Sequence, residues 1–239
     1  MNRLRVFWLA LLAMVLLAPS AWAESPRSMM VELHIGPYAP QVDRAFKHSS
    51  PYQEIFGSNE MVMFGFHWDY QVYQGFGTIG LGVGARYGWV DGQSISESTS
   101  EAADETSLSL IPLTASVTYR FDWLAQKWNV PIVPYGKAGF TYTMWWITNG
   151  NDEIANTYDL EGTGRTGYGG TFGFHVAGGV QILLDWVAPG MAAEFDNEVG
   201  VNNSYIFIEY GLHSVNDFGS SKSFDLGDDN FSAGLMFEF

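Results

Sequence analysis

The stretch FSAGLMFEF, from Phe231 to Phe239, alternates large apolar residues with small or polar ones. Successive side chains on a strand point to opposite faces, so Phe231, Ala233, Leu235, Phe237 and Phe239 share one face, and Ser232, Gly234, Met236 and Glu238 the other. A soluble protein would expose such a strand to aggregation, whereas in an outer-membrane barrel it is a closing strand.

Seven more stretches read with the same period of two. Val31, Leu33 and Ile35 alternate with Glu32, His34 and Gly36. Val62, Phe64, Phe66, Trp68 and Tyr70 oppose Met63, Gly65, His67 and Asp69. Between Ile79 and Trp89 the apolar residues alternate with Gly80, Gly82, Gly84, Arg86 and Gly88, an inner face almost without side chains. The fourth stretch starts with Leu108 and Leu110 in the apolar phase. It then changes parity at Ile111-Pro112 and continues through Leu113, Ala115, Val117, Tyr119 and Phe121. A parity change beside a proline predicts a β-bulge. Three further stretches run over 137–146, 172–186 and 205–212.

The fold class this predicts is all-β: a closed antiparallel transmembrane β-barrel of about eight strands, with ten as the alternative. A secreted sandwich or lipocalin-like barrel would scatter charges over one strand face, but here the non-apolar faces are mostly Gly, Ser and Thr. Charged residues are 15% of the chain, against about 25% in an average soluble domain. No apolar run beyond the leader is long enough for a spanning helix, and a closed barrel is the other way to satisfy backbone groups in lipid.

Arg3 and Arg5, the apolar run from Val6 to Ala18 and the small-x-small Ala21-Trp22-Ala23 read as a signal peptide over residues 1–23. Residues 24–239 then form one outer-membrane barrel domain, placed in the Gram-negative cell envelope. The sequence has no cysteine, which removes disulfides and thiolate chemistry. A formal net charge of −15 argues against nucleic acid as a partner. The expected partners are outer-membrane lipid, lipopolysaccharide and the barrel assembly machinery. With both termini periplasmic, the external connections fall near 39–60, 91–106, 148–169 and 214–228, and the periplasmic turns near 71–76, 123–131 and 187–201. Trp89, Trp145 and Trp146 then mark the outer interfacial girdle, and Trp68, Tyr70, Tyr119, Phe121 and Trp186 the inner one.

Several segments resemble a family of small outer-membrane β-barrel proteins known chiefly from myxobacteria. They are Gly36-Pro37-Tyr38 through Asp43, Pro51-Tyr52 through Gly57, Tyr119 to Asp122, Pro134 to Gly139, Gly200 to Tyr205 and Gly234 to Phe239. The resemblance implies an outer-membrane barrel and no particular reaction. In architecture the chain is also similar to barrels of the OmpW and OmpX type.

The charges of the inner parity are Glu32, His34, Asp69, Arg86, Arg120, Asp122, Lys137, His175, Asp185, Glu209 and Glu238. An eight-stranded barrel is just filled by side chains, and buried charges persist when paired. Arg120 and Lys137 are therefore expected to pair with Glu32, Asp122, Asp185 or Glu238, and Arg86, Glu209 and His175 to form an upper layer. Phe231, Leu235, Phe237 and the terminal Phe239 resemble the carboxyl-terminal assembly signal of outer-membrane proteins.

Two G-x-G-x-x-G strings, Gly75 to Gly80 and Gly162 to Gly167, lack the following helix of a dinucleotide site. A lipid A-modifying enzyme needs a Ser–His pair with an acid, and the local pairs, His48-Ser49-Ser50 and His213-Ser214, read as polar loops. The acidic loops, with Asp91, Glu97, Glu101, Asp104, Glu105, Asp217, Asp225, Asp228 and Asp229, read as solvated surface. The reading is a structural or cell-surface interaction role, with a porin-like channel for a small solute or hydrophobic molecule as the alternative. No enzyme activity, cofactor or metal is expected.

Overall fold

A computed structural model describes residues 27–46, 49–95, 102–128, 130–158, 164–185, 187, 189–220 and 223–239. The expected signal peptide, His48, Glu97, Glu101, Trp186 and the start of the Gly162 string lie outside the described residues.

Eight antiparallel strands close into a barrel: β1 (Met29–Tyr38), β2 (Met61–Gly75), β3 (Gly77–Ile95), β4 (Ala102–Arg120), β5 (Ile132–Asn149), β8 (Tyr168–Leu183), β9 (Asn203–Val215) and β10 (Asp228–Glu238). The two remaining strands, β6 (Asn156–Tyr158) and β7 (Gly164–Thr166), form a separate hairpin within the connection from β5 to β8. Ten described strands are therefore present, and eight build the wall. β10 pairs with β1, setting Val31 opposite Phe237, Leu33 opposite Leu235 and Ile35 opposite Ala233. That pairing closes the cylinder and leaves it no free edge.

Both ends of the barrel chain meet at one rim. There the connections are the tight turn around Phe76, helix α2 (Trp123–Trp128) and helix α3 (Pro189–Val199). The third turn is long because it contains α3. At the opposite rim lie a 3-10 helix (Val42–Ala45) and helix α1 (Pro51–Phe56), both within the connection from β1 to β2. No described helix is long and apolar enough to cross a membrane.

The apolar faces of the strands point outward. Phe140 is 70% exposed and Ile208 56% exposed, with Val83, Val117, Phe172, Val176 and Phe231 in the same belt. Such a contiguous exposed belt calls for an apolar surrounding. Tyr87 stacks on Trp146 at one edge of it, with ring centroids 6.3 Å apart. Inward, β3 presents Gly80, Gly82 and Gly84, and the side chains of His67 and Asp69 on β2 lean across the space those glycines leave.

The expected bulge at Ile111-Pro112 is absent. β4 pairs with β5 without a register shift from Thr106 opposite Asn149 to Arg120 opposite Tyr135. Leu108 and Leu110 are buried inside the barrel, in phase with Ser116, Thr118 and Arg120. The sequence pattern misleads because the lumen itself turns apolar at this height, so an inward strand face carries leucine. The shifts occur elsewhere, between Gln71 and Tyr73 and between Gln93 and Ile95. Trp145, expected in a girdle, likewise faces inward and meets Phe224 edge-on, centroids 4.8 Å apart.

Candidate functional site

The lumen carries the candidate chemistry, and its contents change with height. Nearest the terminal rim, Arg120 is completely buried. Its Nη1 donates to Glu238 Oε1 at 2.9 Å and its Nε to Gln181 Oε1 at 2.7 Å, while Asp122 Oδ2 lies 4.0 Å away. The guanidinium also sits over the Tyr205 ring, 5.0 Å from its centroid. Glu238 accepts further bonds from Gln71 and Asn203, each at 2.8 Å. This arrangement follows from the β10–β1 closure, which brings the last inward carboxylate of the chain into the barrel beneath β4.

One layer higher, Lys137 on β5 donates to Glu32 on β1 and lies 3.4 Å from Glu209 Oε2 on β9. Glu209 accepts from the Tyr135 hydroxyl at 3.0 Å and pairs with Arg86 at 3.4 Å. Glu32 is 2.9 Å from His34 Nε2. His67 bridges Asp69, at 3.2 Å, and Ser116, at 3.2 Å. His175 shares this layer with Arg86 and Glu209, lining the same void; its Nδ1 is 2.9 Å from Thr141, and its ring stacks on His213 with centroids 5.9 Å apart. His213 thus lies on a barrel strand instead of in a polar loop. These imidazoles, with Arg86, Lys137 and Glu209, line a void of about 20 Å³, room for a water molecule and little else.

Asp185, the remaining expected partner of Arg120 or Lys137, lies just beyond β8 and accepts the backbone N–H of Ser204 at 3.1 Å. Burial pushes its carboxyl above the usual range against that hydrogen bond, and the Glu238 charge adds to the rise. Among the described residues, no group of three or more His, Asp or Glu is placed to hold a metal ion.

At the far rim the lumen is capped by hydrocarbon. Tyr38, Met61, Met63, Val90, Leu108, Leu110, Val215 and Leu226 form one buried cluster with Val42, Tyr52 and Phe56 of the overlying connection. That connection is tied down at several points. The Asp43 carboxylate accepts the N–H groups of Tyr52 at 2.7 Å and Gln53 at 3.1 Å, satisfying the free donors at the start of α1. Gln41 N–H donates to the Gly227 carbonyl at 3.0 Å, and the Tyr52 hydroxyl to the Asn59 carbonyl at 2.9 Å. Gly92 on β3 lets α1 approach: a Cβ there would meet the Phe56 ring at 2.7 Å. Burial raises the Tyr52 phenol to about 12, with the carboxylates of Asp228, Glu60 and Asp43 adding to the shift. Sequence periodicity missed this cap. Carrying the parity of β4 unbroken through Pro112 would have put Leu108 and Leu110 inside.

No protein-family model matches the chain, and no curated protein matches it. Solved structures similar in fold are small outer-membrane barrels. Neisserial surface protein A is 15% identical, with a TM-score of 0.47, over 90% of this chain and 98% of that one. The outer membrane protein OprG from Pseudomonas aeruginosa is 12% identical, with a TM-score of 0.47, over 91% and 98%. The outer membrane enzyme PagL is 12% identical, with a TM-score of 0.40, over 87% and 98%. The last corrects the expectation that the chain is not an enzyme. An enzyme stands among the similar barrels, and the likeness, being one of fold alone, assigns no reaction.

Proposed function

We propose that this chain is an integral outer-membrane barrel, exported by a cleaved leader, with a structural or cell-surface interaction role and a lumen closed to solutes. The observation that carries this reading is the ion-pair layer across the barrel. Arg120, Lys137 and Arg86 each meet a carboxylate from another strand, and the void that Lys137 and Arg86 line is about 20 Å³. A permeating solute would have to separate charges buried from water, which costs about 3–5 kcal/mol for each broken pair. The exposed apolar belt supports residence in lipid, and lipopolysaccharide would surround its outer half. The resemblance to the myxobacterial barrel family is in keeping with this assignment.

Planar-bilayer recording of the purified protein tests the closed reading. The expected outcome is no stable conductance in the native protein. A stable conductance that Arg86→Ala or Glu209→Ala abolishes would overturn it. We propose also that Phe231, Leu235, Phe237 and Phe239 are read by the barrel assembly machinery. Removing Phe239 should lower the amount of heat-modifiable, membrane-inserted protein, and unchanged insertion would count against that role.

A further inference from the structure

We infer that the apolar cavity beneath the cap is a binding site for a small, uncharged molecule of about the size of a substituted benzene. The cavity has a volume of about 200 Å³, and its exposed lining is wholly apolar. Tyr52, Ile55 and Phe56 of α1 form one wall, Leu108 and Ile147 of the barrel another, and Phe224 closes a third.

Water is a poor tenant, because a buried water needs two to four polar partners and this lining offers none. The size selects the guest. A cavity of roughly 150 Å³ with aliphatic and aromatic walls stays dry and takes benzene, whereas sites for drug-sized ligands begin at roughly 300 Å³. A single ring with one small substituent therefore fits between the apolar walls, with the mouth at the loop rim left open. No Lys, Arg, Asp or Glu lines the cavity, so a charged guest would lose its hydration without compensation.

The barrel below is filled by the charged layer, whose void holds about 20 Å³. The site is thus a dead end reached from the loop rim, a receptor pocket and not a stage in a passage. Only the dead end rests on the closed-lumen reading; the binding site does not. A barrel that conducted through its charged layer would still contain this cavity, and an empty cavity would leave the conductance result unchanged.

The test uses the full barrel in lipid nanodiscs, with 4-fluorotoluene as the probe and fluorine NMR as the readout. Partition into lipid is linear in probe concentration, whereas site binding saturates. The native protein should show a saturable component, with cross-relaxation from the probe methyl to the Leu108 methyls. Two variants fill the cavity from opposite walls, Ile55→Trp on α1 and Leu108→Trp on β4. In each variant that keeps the folded, heat-modifiable band, the saturable component should weaken at least about tenfold. Native protein with only linear partition, or without cross-relaxation to Leu108, overturns the inference. So does undiminished binding in either folded variant.

Discussion

At the height of Arg120 and Glu238 the barrel is filled with charge; at the height of Leu108 and Leu110 it is filled with hydrocarbon. Both fillings exclude water from the same eight-stranded wall, but they fail in different ways. An ion pair is specific in geometry and intolerant of losing one member, because the survivor is left as an unpaired buried charge. An apolar cluster loses stability in proportion to the contacts removed and can close partly over a gap. The terminal half thus fixes which strands meet, and the capped half governs what can settle beneath the loops.

The largest expected effect comes from breaking the charged half. Arg120→Leu takes from Glu238 its buried, hydrogen-bonded cation and leaves it only the partly exposed Arg27, 3.8 Å away, and we expect a loss of about 3–5 kcal/mol in urea unfolding followed by heat-modifiable mobility. Adding Glu238→Leu should restore most of it. A double variant no better than the single one would break the contrast, since the loss would then belong to packing and not to charge.

A smaller effect is expected from Leu110→Ala in the cap. Complete burial of Leu110 puts the cost at roughly 2–5 kcal/mol, measured in the same way. The bilayer record should stay silent, because the charged layer is untouched. Conductance in Leu110→Ala would show that the hydrocarbon cap, and not the ion pairs, seals the barrel.

The smallest effect is a loosening of the cap at high pH. Tyr52 has its phenol raised from 10.0 to about 12 in the folded state. The folded form therefore holds this proton more tightly than the unfolded one. Its stabilisation is complete below pH 10 and is lost as the pH rises from about 10 to about 12. Limited proteolysis within 39–60 should accelerate over that window in the native protein, and the acceleration should be blunted in Tyr52→Phe. Equal profiles would mean that another group loosens the cap.

The sequence made the wall legible because the outer environment is uniform. Every outward position meets the same apolar surrounding, so β2, β5, β8, β9 and β10 each print a period of two. The lumen is not uniform, and periodicity reads it poorly. Inward positions carry Glu and Arg in one half and Leu and Trp in the other, so β4 looked as though it changed face when only its surroundings changed. Parity could gather the charges on the inner side. Their partners depend on the stagger between strands: His175 reaches Thr141, and Asp185 stays with Ser204 beyond the end of β8. The cap was illegible for another reason. Asp43 and α1 meet through hydrogen bonds across a short irregular segment, and no repeat announces them.

The bare inner face of β3 also governs how the chain can vary. At Gly82 an added methyl would fall closer than 3.0 Å to the Asp69 carboxylate and the His67 ring, and at Gly84 to His67 and Thr114. In saturation mutagenesis this strand should give an inverted tolerance map. Its outward positions, Leu81 and Val83, should accept most apolar replacements, while its smallest residues should refuse even alanine. The stripe would then behave as the mould into which the ion-pair layer is cast, recording in glycine the shape of side chains carried by a neighbouring strand.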